Sequence, residues 1–152
     1  MDGLEITVLN ALDAERSGAQ GGDVVNENSL VVLVSFGAFS ALLTGDAPVE
    51  IEEKAVAVTG PVDVLKVGHH GSRTSTSDDL LERARPGAAV ISVGRGNRYG
   101  HPHEPVLEVL AEAGVDIYRT DLNGTVRVRA RRDGSYAVSV ERAADGAPAT
   151  PR

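Results

Sequence analysis

Short runs of aliphatic and β-branched residues alternate with helical segments along this chain, and this alternation limits the folds open to it. Runs of the strand type span residues 29–36, 62–67 and 88–93. The first is a continuous apolar run, which predicts a strand buried on both faces of a sheet. Strands interleaved with helices predict an α/β domain with a mixed sheet and flanking helices. The predicted helices are residues 50–58, 78–85 and 105–113.

Glycine-containing turns add a hairpin near each end of this sheet domain. Gly37-Ala38 predicts a tight turn that returns the chain as a partner strand over residues 39–44. Asp133-Gly134 predicts a C-terminal β-hairpin between residues 125–130 and 135–140. Residues 4–9 and 116–119 are predicted as further strands, and residues 13–23 as a loop.

Composition and charge exclude several classes of function. The chain has 152 residues, of which 41% are hydrophobic and 24% charged, as is ordinary for one globular domain. We expect that domain over residues 1–142 and a disordered tail over residues 143–152. The absence of cysteine excludes disulfides and thiolate metal sites. A net charge of −7 argues against a strong non-specific grip on nucleic acid by the whole surface.

Nothing in the chain predicts a membrane span or a signal peptide. The most apolar stretch, residues 30–43, is interrupted by Ser35, Gly37 and Ser40 and is too short to cross a bilayer. The first residues are acidic, without the basic segment that opens a signal peptide. We therefore expect a chain that is soluble, with no membrane insertion of its own, although its parent protein can still be membrane-associated.

The four histidines lie within residues 69–103 as two tight pairs, His69-His70 and His101-Pro102-His103. Upstream, Asp46 follows the apolar run that ends in LLTGD. A carboxylate with several imidazoles at strand ends predicts a hydrolytic metal site. In such a site Asp46 would bridge two metal ions or activate a water molecule. The alternative for Asp46 is a structural role as a turn or helix-cap residue.

His69 and His70 follow the predicted strand at residues 62–67 and lie between two glycines. Side chains alternate across a strand, so the two imidazoles should point in different directions if strand geometry continues. One would then bind metal while the other contacts substrate or supports the site, and the sequence leaves open which. Ser72, in the hydroxyl-rich loop that follows, would donate a hydrogen bond to an anion. The alternative is a surface loop in which neither histidine has a special role.

The second histidine pair lies between a predicted strand and a predicted helix, where backbone N–H groups and a histidine can meet a phosphate. Arg95 and Arg98 flank this loop and make it locally positive, although the chain is acidic. His101 and Arg98 are therefore candidate substrate-binding residues. The alternatives are that His103 helps to cap the helix and that the arginines are solvated surface charges.

Three segments of the chain closely resemble the metallo-β-lactamase-fold domain of ComEC-type competence proteins. They are NENSLVVLVSFGAFSALLTGD, the long segment from DVLKVGHHGS to NRYGHPHEPVLEVL, and YRTDLNGTVRV. The resemblance covers about residues 4–130, and its ordered set of motifs (TGD, KVGHHGS, NRYGHP and RTD) is highly specific. It implies a two-metal hydrolase fold that usually holds zinc or manganese and has a proposed nuclease role during DNA uptake.

The resemblance also implies roles for individual residues. Asp46 would match the metal-bridging aspartate, one histidine of His69-His70 the late metal ligand, and His101 a histidine near the substrate side of the cleft. Asn28 and Ser29 would match the entry to the strand before TGD. The family's first metal motif, H-x-H-x-D-H, is absent. The resemblance therefore implies the second half of a four-layer αββα sandwich, whose open face would pair with the missing N-terminal half-domain or with another copy of the chain.

Together these patterns predict a metal-dependent hydrolase that cleaves a phosphodiester such as DNA, with up to two zinc or manganese ions in the complete domain. The alternatives are a truncated, non-catalytic half-domain or interaction module, and a small-ester or lactam hydrolase of the same superfamily. A serine nucleophile is not favoured, because no G-x-S-x-G elbow is present. The predicted catalytic residues are Asp46, His70 and His101, the metal ligands Asp46, His69 and His70, and the substrate-binding residues Ser72, Arg98 and His101.

Overall fold

The structure, a computed structural model, describes residues 3–10 and 22–143 of the chain. The strands in these residues are β1 (Leu4–Asn10), β2 (Val31–Phe36), β3 (Phe39–Leu43), β4 (Val64–Lys66), β5 (Ala88–Ile91), β6 (Asp116–Arg119), β7 (Val126–Ala130) and β8 (Tyr136–Val140). The helices are α1 (Gly22–Glu27), α2 (Val49–Thr59), α3 (Asp78–Ala84), α4 (Glu104–Glu112) and α5 (Thr120–Asn123). A 3-10 turn, Gly68–Gly71, follows β4.

Six strands form one mixed sheet in the order β1-β2-β3-β4-β5-β6. Strands β1, β2 and β3 are antiparallel, whereas β3, β4, β5 and β6 run parallel. The connections between the parallel strands contain α2, α3 and α4, while β7 and β8 form a separate antiparallel hairpin. The predicted α/β domain with a mixed sheet, flanking helices and a C-terminal hairpin is therefore confirmed.

Local sequence signals explain where several elements begin and end. Gly37 has a φ of 63°, and this left-handed conformation lets β2 turn directly into β3, so that Phe36 pairs with Phe39. Ser77 caps α3, because its hydroxyl oxygen accepts a hydrogen bond from the Leu80 N–H at 3.2 Å. The predicted hairpin turn is therefore confirmed.

The main hydrophobic core lies between the sheet and helices α2, α3 and α4. The hairpin β7–β8 packs on the other face of the sheet, where the Tyr136 ring lies 5.8 Å from that of Phe39. Burial of one large apolar side chain contributes about 1.5–3 kcal/mol to stability. Because many such side chains are buried on both faces of the sheet, moving a strand out of place would be costly. The largest fully buried apolar side chains of the main core are Leu42, Leu65, Leu80, Ile91 and Leu110.

The hairpin leaves part of its face of the sheet uncovered. Leu4, Ile6 and Val8 of β1 lie on this face and are 43%, 65% and 53% exposed. Ile6 pairs with Val34 of β2, and an apolar groove of about 310 Å³ continues from Val34 to the hairpin. We call Leu4, Ile6, Val8 and Val34 the open apolar face.

The prediction that β2 is buried on both faces is wrong. Val31 is its one buried residue, and the others are half-buried. The reason is tertiary, because no part of residues 3–10 and 22–143 covers the open apolar face. A continuous apolar run predicts that both faces of a strand are buried, but it does not identify the segments that bury them.

Some predictions fall partly outside the described residues. The predicted loop at residues 13–23 lies mostly there, and its described end differs, because α1 begins at Gly22. Of the predicted tail at residues 143–152, only Ala143 is described, outside any helix or strand. Helix α5 is too short to produce a periodic signal, and the sequence does not predict it. Within the described ranges, the helices are too short or too polar to pass through a membrane.

Candidate functional site

The predicted site residues meet at one edge of the sheet, where β3, β4 and β5 end. Asp46 follows β3, the turn Gly68–Gly71 follows β4, and Ser92 follows β5. Because these strands are parallel, their carboxyl ends lie side by side, at the edge where α/β sheets commonly bind ligands. The topology therefore gathers the aspartate and the histidines that are separate in sequence.

The turn that carries His69 and His70 does not continue β4. Strand β4 ends at Lys66, and both histidines adopt left-handed backbone conformations, with φ of 43° and 57°. Their ring centroids are 6.3 Å apart, and each lies within 6.4 Å of the ring of His101. The two imidazoles are expected to point in different directions only if strand geometry continues, and this condition is not met because β4 ends at Lys66.

His70 contacts the backbone with one ring nitrogen and faces Asp46 with the other. Its Nδ1 lies 2.6 Å from the carbonyl oxygen of Ser92, and only a protonated nitrogen can donate to a carbonyl. Its Nε2 lies 3.6 Å from Oδ1 of Asp46, and the two side chains are 45% and 42% exposed. In a neutral imidazole two acceptors then face each other, and they repel unless a proton or a cation lies between them. The pair therefore offers a solvent-accessible place for a positive charge.

Hydrogen bonds hold the loop of Asp46 against the histidine turn. The carbonyl oxygen of Gly45 accepts from the His69 N–H at 3.0 Å and from Nζ of Lys66 at 2.8 Å. The N–H of Asp46 donates to Oγ of Ser29 at 3.2 Å, so the segment before β2 also contacts this loop. Hydrogen bonds on two sides thus hold the backbone that carries the Asp46 carboxylate.

His101 approaches the same edge from the loop between β5 and α4. The Asn97 side chain holds this loop, because its Oδ1 accepts from the His101 N–H at 3.0 Å and its Nδ2 donates to the His101 carbonyl oxygen at 2.7 Å. Burial, followed by the neighbouring charges of His103, His69 and His70, lowers the pKa of His101. His101 therefore stays neutral to a lower pH than a free histidine, which suits a group that accepts a proton near pH 7.

His103 precedes α4, but its side chain does not cap the helix. Its Nδ1 instead accepts from the Arg73 N–H at 3.2 Å, and its own N–H donates to the carbonyl oxygen of Gly71 at 2.9 Å. A Cβ added at Gly71 would lie 3.0 Å from Cα of Pro102, so the loops of the two histidine pairs are in direct contact. His103 is thus the N-cap residue of α4 through its backbone carbonyl, which accepts from the Val106 N–H at 3.1 Å, while its ring joins these loops.

Ser72 and Arg98, the other predicted substrate-binding residues, have different surroundings. Ser72 is buried, and its hydroxyl lies 3.1 Å from Oγ1 of Thr74 within its own loop. Arg98 is exposed, its guanidinium lies 5.1 Å from the centre of the Tyr99 ring, and that ring lies 5.9 Å from the ring of His101. Arg98 thus adjoins the histidines through Tyr99, whereas the Ser72 hydroxyl is engaged inside its loop. The substrate-binding roles of both residues stay predictions.

The donor set for a metal ion is incomplete. Within residues 3–10 and 22–143, no three His, Asp or Glu side chains are grouped closely enough to hold a metal ion. Asp46 and His70 provide two facing donor atoms, whereas catalytic zinc sites in proteins have three protein ligands. This part of the chain therefore does not fit a complete metal site, and the zinc or manganese ion stays a prediction.

A buried acid that the sequence analysis does not single out lies against the histidine turn. Glu52, on α2, is fully buried, and its Oε2 accepts from the Thr76 N–H at 2.6 Å. Burial raises the pKa of Glu52 to about 7, against the opposing effects of the Thr76 hydrogen bond and of nearby Lys66. The sequence could have indicated that Glu52 is buried, because this residue lies between Ile51 and Ala55 on the buried side of α2.

Fold and site together define an α/β domain whose parallel strands end at an edge lined by histidines and an aspartate. No protein-family model matches the chain. The chain is 42% identical over 116 residues to ComE operon protein 3 of Bacillus subtilis, and 45% identical over 108 residues to Recombination protein 2 of Haemophilus influenzae. It is 38% identical over 115 residues to Competence protein ComA of Neisseria gonorrhoeae.

These relatives indicate a competence-protein family for the chain, and they support its bacterial origin. The matches cover 71% to 74% of the chain but only 14% to 17% of each relative. The chain therefore corresponds to one part of much longer proteins. One of these relatives is named as a competence protein, which agrees with the predicted link to competence.

Proposed function

We propose that the chain is part of a metal-dependent hydrolase that cleaves a phosphodiester, such as DNA, during DNA uptake. The similarity to bacterial competence proteins supports the biological setting. The sheet edge at which Asp46, His70 and His101 meet supports the chemistry. The fold we propose is the second half of a metallo-β-lactamase-like αββα sandwich, which agrees with helices on one face of the sheet and the open apolar face on the other.

The geometry of Asp46 and His70 carries this proposal. A histidine whose Nδ1 is fixed by a backbone carbonyl presents Nε2 in a defined direction, as metal-ligating histidines commonly do. In this chain Ser92 provides that carbonyl, and Nε2 faces the Asp46 carboxylate. Zinc or manganese is the proposed cofactor, with Asp46 and His70 as its two facing donors and the adjacent His69 as a ligand that would have to move closer to them.

The remaining predicted residues are proposed to act on the substrate. Arg98 is exposed at the rim of the site and would attract a phosphate group. His101 has a lowered pKa and would accept or pass on a proton as the phosphodiester is cleaved. Ser72 would contact the substrate if its hydroxyl exchanged Thr74 for a phosphate oxygen.

The incomplete donor set requires further ligands from outside the described residues. The open apolar face offers a place where another sheet can pack, because contiguous apolar surface is seldom left in water. We propose that the missing N-terminal half-domain packs there and brings the remaining metal ligands. A second copy of the chain is the alternative occupant.

Metal binding by the purified chain tests the proposal. Equilibrium dialysis against zinc or manganese, followed by elemental mass spectrometry, would compare the wild type with Asp46→Ala and His70→Gln. The matched control is Asp79→Ala, because the Asp79 carboxylate pairs with Arg83 on the exposed side of α3. Even indirect partners of a ligand change metal affinity by about tenfold to hundredfold, so each site variant should weaken binding at least tenfold.

Either outcome of this comparison is informative. Retention of metal by the wild type and by Asp79→Ala, with loss in both site variants, supports the site. Wild-type binding no stronger than that of Asp46→Ala contradicts a metal site in this chain. Cleavage of a single-stranded DNA by the metal-loaded chain, lost in both variants, would test the enzymatic step separately.

One observation favours a second candidate, a non-catalytic interaction module. Two facing donors are too few for a catalytic site, while the open apolar face offers a surface on which a partner can pack. This candidate predicts that partner binding is unaffected by Asp46→Ala, whereas the hydrolase predicts that the same substitution removes activity from the assembled protein.

A further inference from the structure

The carboxyl group of Glu52 lies between the loop of Asp46 and the loop of His70. A Cβ added at Gly68 would overlap Oε1 of Glu52 and would lie 3.1 Å from Oγ1 of Thr44. Thr44 precedes Asp46 by two residues, and Gly68 precedes His70 by two. The other carboxyl oxygen, Oε2, accepts the Thr76 N–H where the histidine loop returns towards α3. One side chain of α2 thus contacts both loops of the candidate site.

Burial of this carboxyl group is not explained by stability. Glu52 has no solvent exposure, and its Oε1 has no partner at full hydrogen-bond geometry in the described part of the chain, although the Thr44 side chain is close enough to lower the pKa of this acid. The nearby Thr44 hydroxyl donates to the carbonyl oxygen of Lys66 instead, at 3.2 Å. Burying a carboxyl group is costly in either protonation state, and an apolar side chain of similar size would avoid that cost. The carboxyl group therefore has a function that an apolar side chain would not supply.

We propose that Glu52 is a positioning residue, which holds the histidine turn and the Asp46 loop in register so that His70 faces Asp46. It acts through shape and through one hydrogen bond, because Oε2 fixes Thr76 while Oε1 packs against Gly68. Thr76 has a φ of 62°, an uncommon conformation that this hydrogen bond helps to maintain. The importance of Glu52 for catalysis rests on the proposed function above, whereas its effect on the two loops does not.

Two conservative variants of Glu52 separate the effect of side-chain length from that of the ionisable carboxyl group. Glu52→Gln keeps the length of the side chain and an oxygen for the Thr76 N–H but removes the charge. Glu52→Asp keeps the charge but is one methylene shorter, so that it cannot reach Thr76. Glu50→Gln, an exposed acid on the same helix, is the matched control. All four chains would be studied by NMR without metal, after circular dichroism has shown that each is folded.

Two NMR measurements report on the loops directly, the exchange rate of the Thr76 amide hydrogen and the nuclear Overhauser contact between the His70 ring and the Asp46 side chain. Loss of a hydrogen bond to a charged group should speed amide exchange about tenfold to hundredfold in Glu52→Asp. We expect that variant to lose the His70–Asp46 contact as well, while Glu52→Gln and Glu50→Gln stay close to the wild type. Unchanged exchange and an unchanged contact in Glu52→Asp would overturn the proposal, as would their loss in Glu52→Gln.

A Co²⁺ titration of the same chains connects the result with the proposed function. If Glu52 positions the ligands, Glu52→Asp should bind Co²⁺ more weakly than the wild type by about tenfold, and Glu52→Gln should restore wild-type affinity. Equal Co²⁺ affinity in Glu52→Asp and in the wild type would contradict a positioning role at the metal site. A wild-type chain that binds no Co²⁺ contradicts metal binding by this chain alone, and the metal-free NMR comparison then decides the role of Glu52 independently.

Discussion

Replacing Glu52 with glutamine should remove a large pH dependence of stability. The carboxyl group is fully buried, and burial is the main cause that raises its pKa from 4.5 to about 7. The charged groups that act on it are Lys66 from β4 and the neighbouring Glu53. The folded chain therefore holds the Glu52 proton more tightly than the unfolded chain does. The stabilisation that this proton provides is complete below about pH 4.5 and is lost as the pH rises through about 7.

The size of the effect follows from the two pKa values. Each pKa unit corresponds to 1.36 kcal/mol, so the difference between 4.5 and about 7 corresponds to about 3 kcal/mol of unfolding free energy. Glutamine has nearly the same shape and does not titrate. All other residues are the same in both chains, and their contribution cancels when the two unfolding free energies are subtracted.

Urea unfolding followed by circular dichroism, from about pH 4 to about pH 8, measures this difference. The unfolding free energy of the wild type minus that of Glu52→Gln should fall by about 3 kcal/mol across the range. Glu50→Gln, at an exposed position on the same helix, should show no such change. A difference between wild type and Glu52→Gln that stays constant with pH would refute the reasoning, since the carboxyl group would then titrate alike in both states.

Three further results are expected. Gly68→Ala should destabilise the chain by about 1–3 kcal/mol in urea unfolding, because its methyl group overlaps the buried carboxyl oxygen, whereas Gly94→Ala, with nothing within 4 Å, should have little effect. An NMR titration should give His101 a midpoint below 6.5, and His103→Gln should raise that midpoint by removing a neighbouring charge; an unchanged value would exclude this electrostatic cause. Ile6→Ser, at a side chain that is 65% exposed, should change stability by less than about 0.5 kcal/mol but weaken any self-association seen by sedimentation velocity. A wild type that is monomeric at all concentrations would contradict the second copy as the occupant of the open apolar face.

Much of the candidate site could be predicted from the sequence, because its residues follow strands. Asp46 and the first histidine pair directly follow predicted strands, and the carboxyl ends of parallel strands meet at one edge. The orientation of His69 and His70 could not be predicted in the same way. It depends on two left-handed residues after β4, and this turn is stabilised by contacts with Gly45 and Ser92 from other parts of the chain.

The alternation of apolar runs and glycine turns was enough to identify the strands, the three longer helices and the α/β class, because these signals are local and act over a few residues. Three features depend on the tertiary structure: the buried Glu52 carboxyl group, the meeting of His70 with Asp46, and the open apolar face. Each arises from the packing of segments that are distant in sequence. The sequence shows where apolar and acidic residues lie along the chain. Whether such a residue is buried, and what it contacts, depends on which other segment packs against it.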